Sequence, residues 1–416
     1  MTPPTALPPE ASRDSVGRLF LVFLRLGLTS FGGPVAHIGY FRDEFVVRRA
    51  WLSEAAYAEL VALCQFLPGP ASSQVGMALG LQRAGVAGAL AAWAGFTLPS
   101  AVALIGLALG LSQGRMDHPL AQGALHGLKV VAVAVVAQAV WGMARQLCPD
   151  LRRRLLALVV AALALAWPTA WTQLALMAAA AALGAAGVVR APVASAAHVR
   201  QAAPPASPRR GAPWLIVFAL LLVGLPLAVQ MGGASTPPAL ALVDAFYRAG
   251  ALVFGGGHVV LPLLQAEVVP TGWVSENVFL AGYGAAQAVP GPLFTFAAFL
   301  GAARSGAPTG GWGGGLALGA IFLPAFLLVV GALPFWERLK SVPAARSALS
   351  AVNAAVVGLL LAALIDPVAT HGLRSVADVA LAAVALLALM RWKVPPWIVV
   401  LACAAAGIAL AQAGAG

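Results

Sequence analysis

The chain has 416 residues, of which 61% are hydrophobic and 9% charged, against about a quarter charged in an average soluble domain. That composition excludes a soluble globular fold. The net charge of +11 comes from 25 basic and 14 acidic residues, and the basic ones gather at the ends of apolar stretches and in one internal segment. This is a membrane-topology pattern, not a nucleic-acid-binding surface.

Residues 1–17 are polar. The apolar run after them contains Arg25 and enters Gly32-Gly33-Pro34 with no small-residue cleavage site, so no cleaved signal peptide is expected and 1–17 read as a cytoplasmic segment. About 20 apolar residues span a bilayer as a helix. On that scale the first half offers spans at 18–30, 87–111, 121–144, 155–167 and 170–189, with a broken segment at 55–82. Residues 190–212, rich in Pro, Ala and Arg, read as a cytoplasmic linker. A connecting helix is expected within 213–238, then spans at 239–255, 313–333, 348–365, 376–390 and 395–410, with a second broken segment at 277–303.

Ala and Leu dominate, and the alternating ten-residue pattern of outer-membrane barrels is absent. The expected fold is an all-α integral membrane protein of about 13 transmembrane helices, with one repeat at 18–189 and the other at 239–416. Placing the linker inside also puts Arg83, Arg145 to Arg154, Arg338 to Arg346 and Arg391 to Lys393 inside. Arg42, Arg48 and Arg49 fall outside unless 55–82 is a re-entrant hairpin.

The halves repeat one another. Phe23, Arg25, Gly27, Phe31, Gly32 and Gly33 match Phe246, Arg248, Gly250, Phe254, Gly255 and Gly256 at a constant offset of 223. Glu44 meets Glu267. After a one-residue slip Trp51, Ser53, Glu54, Gln65, Pro68, Gly69 and Pro70 meet Trp273, Ser275, Glu276, Gln287, Pro290, Gly291 and Pro292, and Arg83 then meets Arg304. Coincident Arg, Trp, Glu and Gln in a chain so poor in them point to duplication. Seven expected crossings between the repeat starts make the second copy inverted, as in secondary transporters.

Phe31-Gly32-Gly33-Pro34 breaks a helix and favours a new one starting at Pro34, whose free N–H groups attract anions. Pro68-Gly69-Pro70 and Pro290-Gly291-Pro292 do the same, with hydroxyl donors at Ser72, Ser73 and Thr295 in the following turn. Ser30, Gly255, Gly256 and Gly257 belong to the same candidate anion site, and Gln65 and Gln287 either donate to a ligand or cap freed carbonyls.

Arg25 and Arg248 lie inside apolar segments, where a charge costs roughly 3 kcal/mol on insertion scales. They either face a polar cavity and neutralise a dianion, or snorkel or pair with an acid such as Glu44 or Glu267. Lys129, whose counterpart is Asn353, is a third polar position within the membrane. The Gly and Pro breaks could equally serve close helix packing. His37 and His258 read as structural, and Trp51 and Trp273 as interfacial anchors.

Cys64, Cys148 and Cys403 are isolated, which argues against disulfides and metal sites. No nucleotide-binding, metalloprotease or Ser/His/Asp pattern is present, so no cofactor and no enzymatic activity are expected.

At FGGPVAHIGYFRDEF, W-x-S-E, QFLPGP and GLQRAG, with FGGGHVVLP, W-x-S and QAVPGP in the second half, the sequence resembles the chromate ion transporter family, long two-domain type. The resemblance covers most of both halves. It implies a carrier in the inner membrane that exports chromate and confers chromate resistance, with motif residues at Arg25, the Gly32 to Pro34 and Gly255 to Gly257 elements, and the two Pro-Gly-Pro breaks. Gly257 stands where the first half has Pro34, so the two half-sites need not be equivalent. The expected partners are chromate or a sulfate-like oxyanion, the lipid bilayer and, as an option, a second copy in a homodimer; nucleic acid is not among them. The expected mechanism is alternating access. Transport of another tetrahedral oxyanion is the main rival, and an anion channel or a membrane enzyme acting on a lipid-linked substrate are weaker ones.

Overall fold

A computed structural model describes residues 15–112, 119–189, 208–254, 257–335 and 342–413. Every regular element among the described residues is a helix, with no strand among them. Five helices are long and apolar enough to cross a membrane, and shorter apolar helices accompany them.

The first half begins with α1 (Val16–Thr29), α2 (Gly33–Arg42) and α3 (Glu54–Phe66). It continues through α4 (Ala71–Ser112), α5 (Pro119–Leu147), α6 (Leu151–Ala166) and α7 (Ala170–Ala185). After α8 (Pro208–Gly232) the second half runs α9 (Pro238–Ala251), α10 (Val260–Val268), α11 (Glu276–Ala286) and α12 (Phe296–Ala303). It ends with α13 (Gly310–Ala332), α14 (Pro343–Ala363), α15 (Val376–Met390) and α16 (Pro396–Ala413).

The repeated sequence motifs have repeated structural reasons. In W-x-S-E, Ser53 caps α3 by accepting the Ala56 N–H at 3.2 Å, and Ser275 caps α11 by accepting that of Val278 at 3.4 Å. Glu54 and Glu276 follow in the first turn, where a negative charge meets the positive helix end. Gly27 lets α1 touch the backbone of α4 at Gly95 and Phe96, and its counterpart Gly250 lets α9 touch α13 at Ile321; a Cβ at either position would lie under 3 Å from a backbone oxygen.

The two tryptophans are covered by the matched arginines. The Arg83 guanidinium lies 4.8 Å from the Trp51 ring centroid, and that of Arg304 lies 4.3 Å from Trp273. Trp51 precedes α3 and Arg83 ends the first segment of α4, which kinks at Ala84 and Gly85. The broken segment therefore folds back as a hairpin that brings its two ends, Trp51 and Arg83, together. Its arms of 13 and 14 residues are only about 20 Å long, short of the bilayer core. The same reasoning makes α11 and α12 a hairpin.

The halves are also interleaved. The pair α6 and α7 packs on α14 of the second half, while α15 and α16 pack on α5 of the first. Glycines mark both seams: Gly184 abuts the Ser347 carbonyl, and Gly127 abuts that of Cys403.

Candidate functional site

Between the halves lies a cavity of about 440 Å³ where four chain breaks meet: Gly32 and Gly33 at the start of α2, Gly69 before α4, Gly257 before α10 and Gly291 before α12. Two backbone bonds hold these breaks together, and they are reciprocal. The Gly69 N–H donates to the Val253 carbonyl at 2.7 Å, and the Gly291 N–H donates to the Ser30 carbonyl at 2.9 Å. Ser30 and Val253 occupy equivalent places just before the two Phe-Gly-Gly elements. Each half thus pins its Pro-Gly-Pro break to the other half's glycine element. Gly69 at φ +124° and Gly291 at φ +103° hold backbone that L side chains rarely adopt.

Among the described residues, no Lys, Arg, Asp or Glu lines the cavity. Its polar groups are the amides of Gln65, Gln138, Gln146, Gln287 and Asn353, the His258 ring, and backbone. Gln287 Nε2 and Asn353 Oδ1 are buried without a hydrogen-bond partner among the described residues. An unsatisfied buried donor costs about 1–3 kcal/mol, which a bound acceptor recovers.

The two histidines differ. His37 Nε2–H donates to the Ser30 carbonyl at 3.2 Å and its Nδ1 accepts from the Ser72 hydroxyl at 3.3 Å, so both nitrogens are used, as the structural expectation held. His258 lines the cavity and, among the described residues, bonds through Nδ1 alone, 2.8 Å from the Tyr283 hydroxyl. With that hydroxyl donating, the neutral ring carries its proton on Nε2, free to donate to a ligand.

Of the residues expected to form the site, Gly32, Gly33, Gln65, Gly69, Gly257, Gln287 and Gly291 line this one cavity. Pro68, Pro70, Pro290 and Pro292 flank the two break glycines. Ser30, Ser72, Ser73 and Thr295 are buried behind the lining, and Thr295 donates back to the Pro292 carbonyl. Pro34 sits in the first turn of α2; its side chain, and Gly255 and Gly256 entirely, lie outside the described residues.

The three cations lie outside this cavity, and for Arg248 the structure shows the alternative that the sequence left open, pairing with Glu267. Arg25 lies on an exposed face of α1. Arg248 donates to Asp244 at 2.8 Å and Glu267 at 2.6 Å, because a buried guanidinium is best held by carboxylates, and Asp244 is one helical turn away. Glu44 is occupied by Arg48 and Arg49, not Arg25. Lys129 reaches Asn277, away from the cavity.

Sequence reasoning missed Gln138 and Gln146. Eight residues apart, they share one face of the mostly apolar second half of α5, a signal that was available.

A family profile described as chromate transporter matches residues 17–185 and again 240–408, one match per half. The chain is 31% identical over 369 residues to the chromate transport protein of Pseudomonas aeruginosa, covering 87% of this chain and 82% of that one. It is 30% identical over 375 residues to the chromate transport protein of Cupriavidus metallidurans, covering 89% and 86%. No solved structure gives a significant match.

Proposed function

The chain belongs to the chromate transporter family, and on that premise we propose that it is a secondary transporter that exports chromate across the inner membrane and so confers chromate resistance. The observation that carries this reading is the uncharged, donor-lined cavity at the meeting of four chain breaks. Helices or helical turns begin at each break, and a helix N-terminus favours a negative charge. Gln287 Nε2 and His258 Nε2–H add directed donors that fit the oxygens of a tetrahedral ion.

Alternating access about an inverted pair of repeats is supported by the hairpins. The first-half hairpin ends at Arg83, next to the start of the long second segment of α4. The second-half hairpin ends at Arg304, six residues before Gly310, and Gly310 faces Leu109 near the far end of that same segment. The two hairpins thus enter from opposite ends of the bundle, as inverted repeats would. Counting them as re-entrant also places Arg42, Arg48 and Arg49 with Arg83 and the Arg145 to Arg154 group, which resolves the conflict with the positive-inside rule. The cavity rim includes the exposed Gly142 and Gln146 at that same end, so this conformation faces the cytoplasm. A dianion leaving an interior-negative cell at roughly 150 mV gains about 7 kcal/mol, enough to drive export.

Sulfate or another tetrahedral dianion is a second reading. It is favoured by the generic donors and by a volume well beyond one such ion.

The test is chromate uptake into inverted vesicles. Gln287→Ala should lower uptake about tenfold, the loss of one hydrogen bond to a charged ligand, while Arg25→Ala should leave it within about twofold. Normal uptake by Gln287→Ala would remove the cavity from the mechanism. Competition by excess sulfate in the same vesicles ranks the two substrates. For topology, Ser53→Cys and Ser275→Cys, placed in a background lacking the three native cysteines, should be labelled from opposite sides by an impermeant reagent; labelling from one side would refute the inversion.

A further inference from the structure

Lys129 and Arg374 lie at the end of the bundle opposite the cavity rim, and the charge between them is unbalanced. Lys129 Nζ donates to Asn277 Oδ1 at 3.3 Å, and Arg374 Nη2 reaches the same oxygen at 3.5 Å. Their nitrogens are therefore about 7 Å apart at most, the two distances laid end to end. Lys129 is 9% exposed; Arg374 and Asn277 form the exposed rim.

Neither cation has a carboxylate within ion-pair distance among the described residues. The nearby acid, Asp378, is already taken. Its Oδ1 accepts from His126 Nε2 at 2.6 Å, and its Oδ2 accepts the backbone N–H groups of Arg374 and Ser375 at 3.0 and 2.9 Å. A neutral amide oxygen cannot offset two positive charges, and in a partly desolvated setting such a pair seeks an anion.

The pair is also in line with the transport route. Asn277 stands near the start of α11, and Gln287, the cavity donor, caps its end about 15 Å away. On α5, Lys129 lies about 9 Å before Val135, which is on the cavity wall. Between them is a buried apolar cluster of Val131, Val135, Val399 and Val400 with Cys403. The cavity is open on one side of this apolar seal, and the cationic pair waits on the other.

We propose that Lys129, Arg374 and Asn277 form a second oxyanion site, which holds the transported tetrahedral dianion at the outer end of the route. The Arg fork and Lys ammonium donate to the ion's oxygens, and the Asn277 amide nitrogen adds a neutral donor. The site rests on the transport reading above but uses none of the cavity residues. A lipid headgroup phosphate offers the same chemistry, so the test separates the two sources.

The full-length protein is reconstituted in vesicles of phosphatidylcholine, with or without anionic phosphatidylglycerol, and half-saturating chromate is measured from each side. Lys129→Gln and Arg374→Gln should each raise the value on the Asn277 side about tenfold. They should leave the cavity side and the maximal rate within about threefold, in both lipid mixtures, and Lys129→Arg should stay close to wild type. Asn277→Asp, which sets a carboxylate between the cations and so keeps the cluster folded, should raise the same value. Unchanged half-saturation on that side in folded variants overturns the site, and an effect seen only with phosphatidylglycerol assigns the pair to lipid and overturns it as well. Gln287→Ala acts from the cavity side, so a normal Gln287→Ala with shifted pair variants would fail the cavity reading alone. The reverse result would fail this one alone.

Discussion

Arg304 and Trp273 show what single residues contribute and how far a sequence reveals it. Both were visible as matched positions, yet nothing in their spacing says that 31 residues apart they meet face to face at 4.3 Å. A desolvated cation–π contact is worth about 1–2 kcal/mol, and this one closes the hairpin between α11 and α12. Arg304→Ala should therefore lower the thermal midpoint in detergent by a few degrees, and Arg83→Ala, its counterpart over Trp51, should do likewise. Arg304→Lys should recover part of the loss, and an unchanged midpoint in Arg304→Ala would show the stacking to be incidental. The apolar-segment arginines teach the converse lesson. Asp244 is four residues before Arg248, so that pairing was legible from helical spacing. The exposure of Arg25 was not, because it depends on which face of α1 the rest of the fold covers.

At the scale of elements, the helix breaks were legible and their consequence was not. Gly and Pro announce where a helix stops, but only tertiary contact decides whether the chain goes on or turns back. Gly291 does two things at once: it holds φ +103°, and it lies so close to α4 that a Cβ would sit 2.9 Å from Ser100 Oγ and 3.2 Å from the Phe96 carbonyl. Gly272 holds φ +70° with nothing within 4 Å. A left-handed non-glycine residue costs about 1–2 kcal/mol, so Gly272→Ala should lose about that much stability. Gly291→Ala should lose more and should also suppress chromate flux, since the break carries the Gly291 N–H bond to Ser30 across the cavity. Equal losses in the two variants, read by thermal unfolding, would mean that the close approach to α4 is not used.

The whole molecule is duplicated in sequence but not divided in space. The repeat was plain from matched residues, whereas the exchange of helix pairs was hidden, because a glycine's position does not name the helix it will touch. Gly358 of α14 abuts the Ala157 carbonyl of α6, and Gly407 of α16 abuts that of Gly123 in α5. Each half taken alone would leave α5 or α14 without the helices that cover it, and would lose the reciprocal Gly69 and Gly291 bonds that close the cavity. All of these contacts are made by residues outside 190–207, the stretch that joins the halves. Cutting the chain there should therefore be tolerated only if both pieces are made together. Residues 1–195 and 196–416 co-expressed in a chromate-sensitive host should transport chromate within about fivefold of the intact chain, because loop closure over such a distance costs only a few RT. Either piece alone should fail to accumulate in the membrane. A first half that folded and carried chromate unaided would show that the interleaving is dispensable and that the cavity does not need contributions from both repeats.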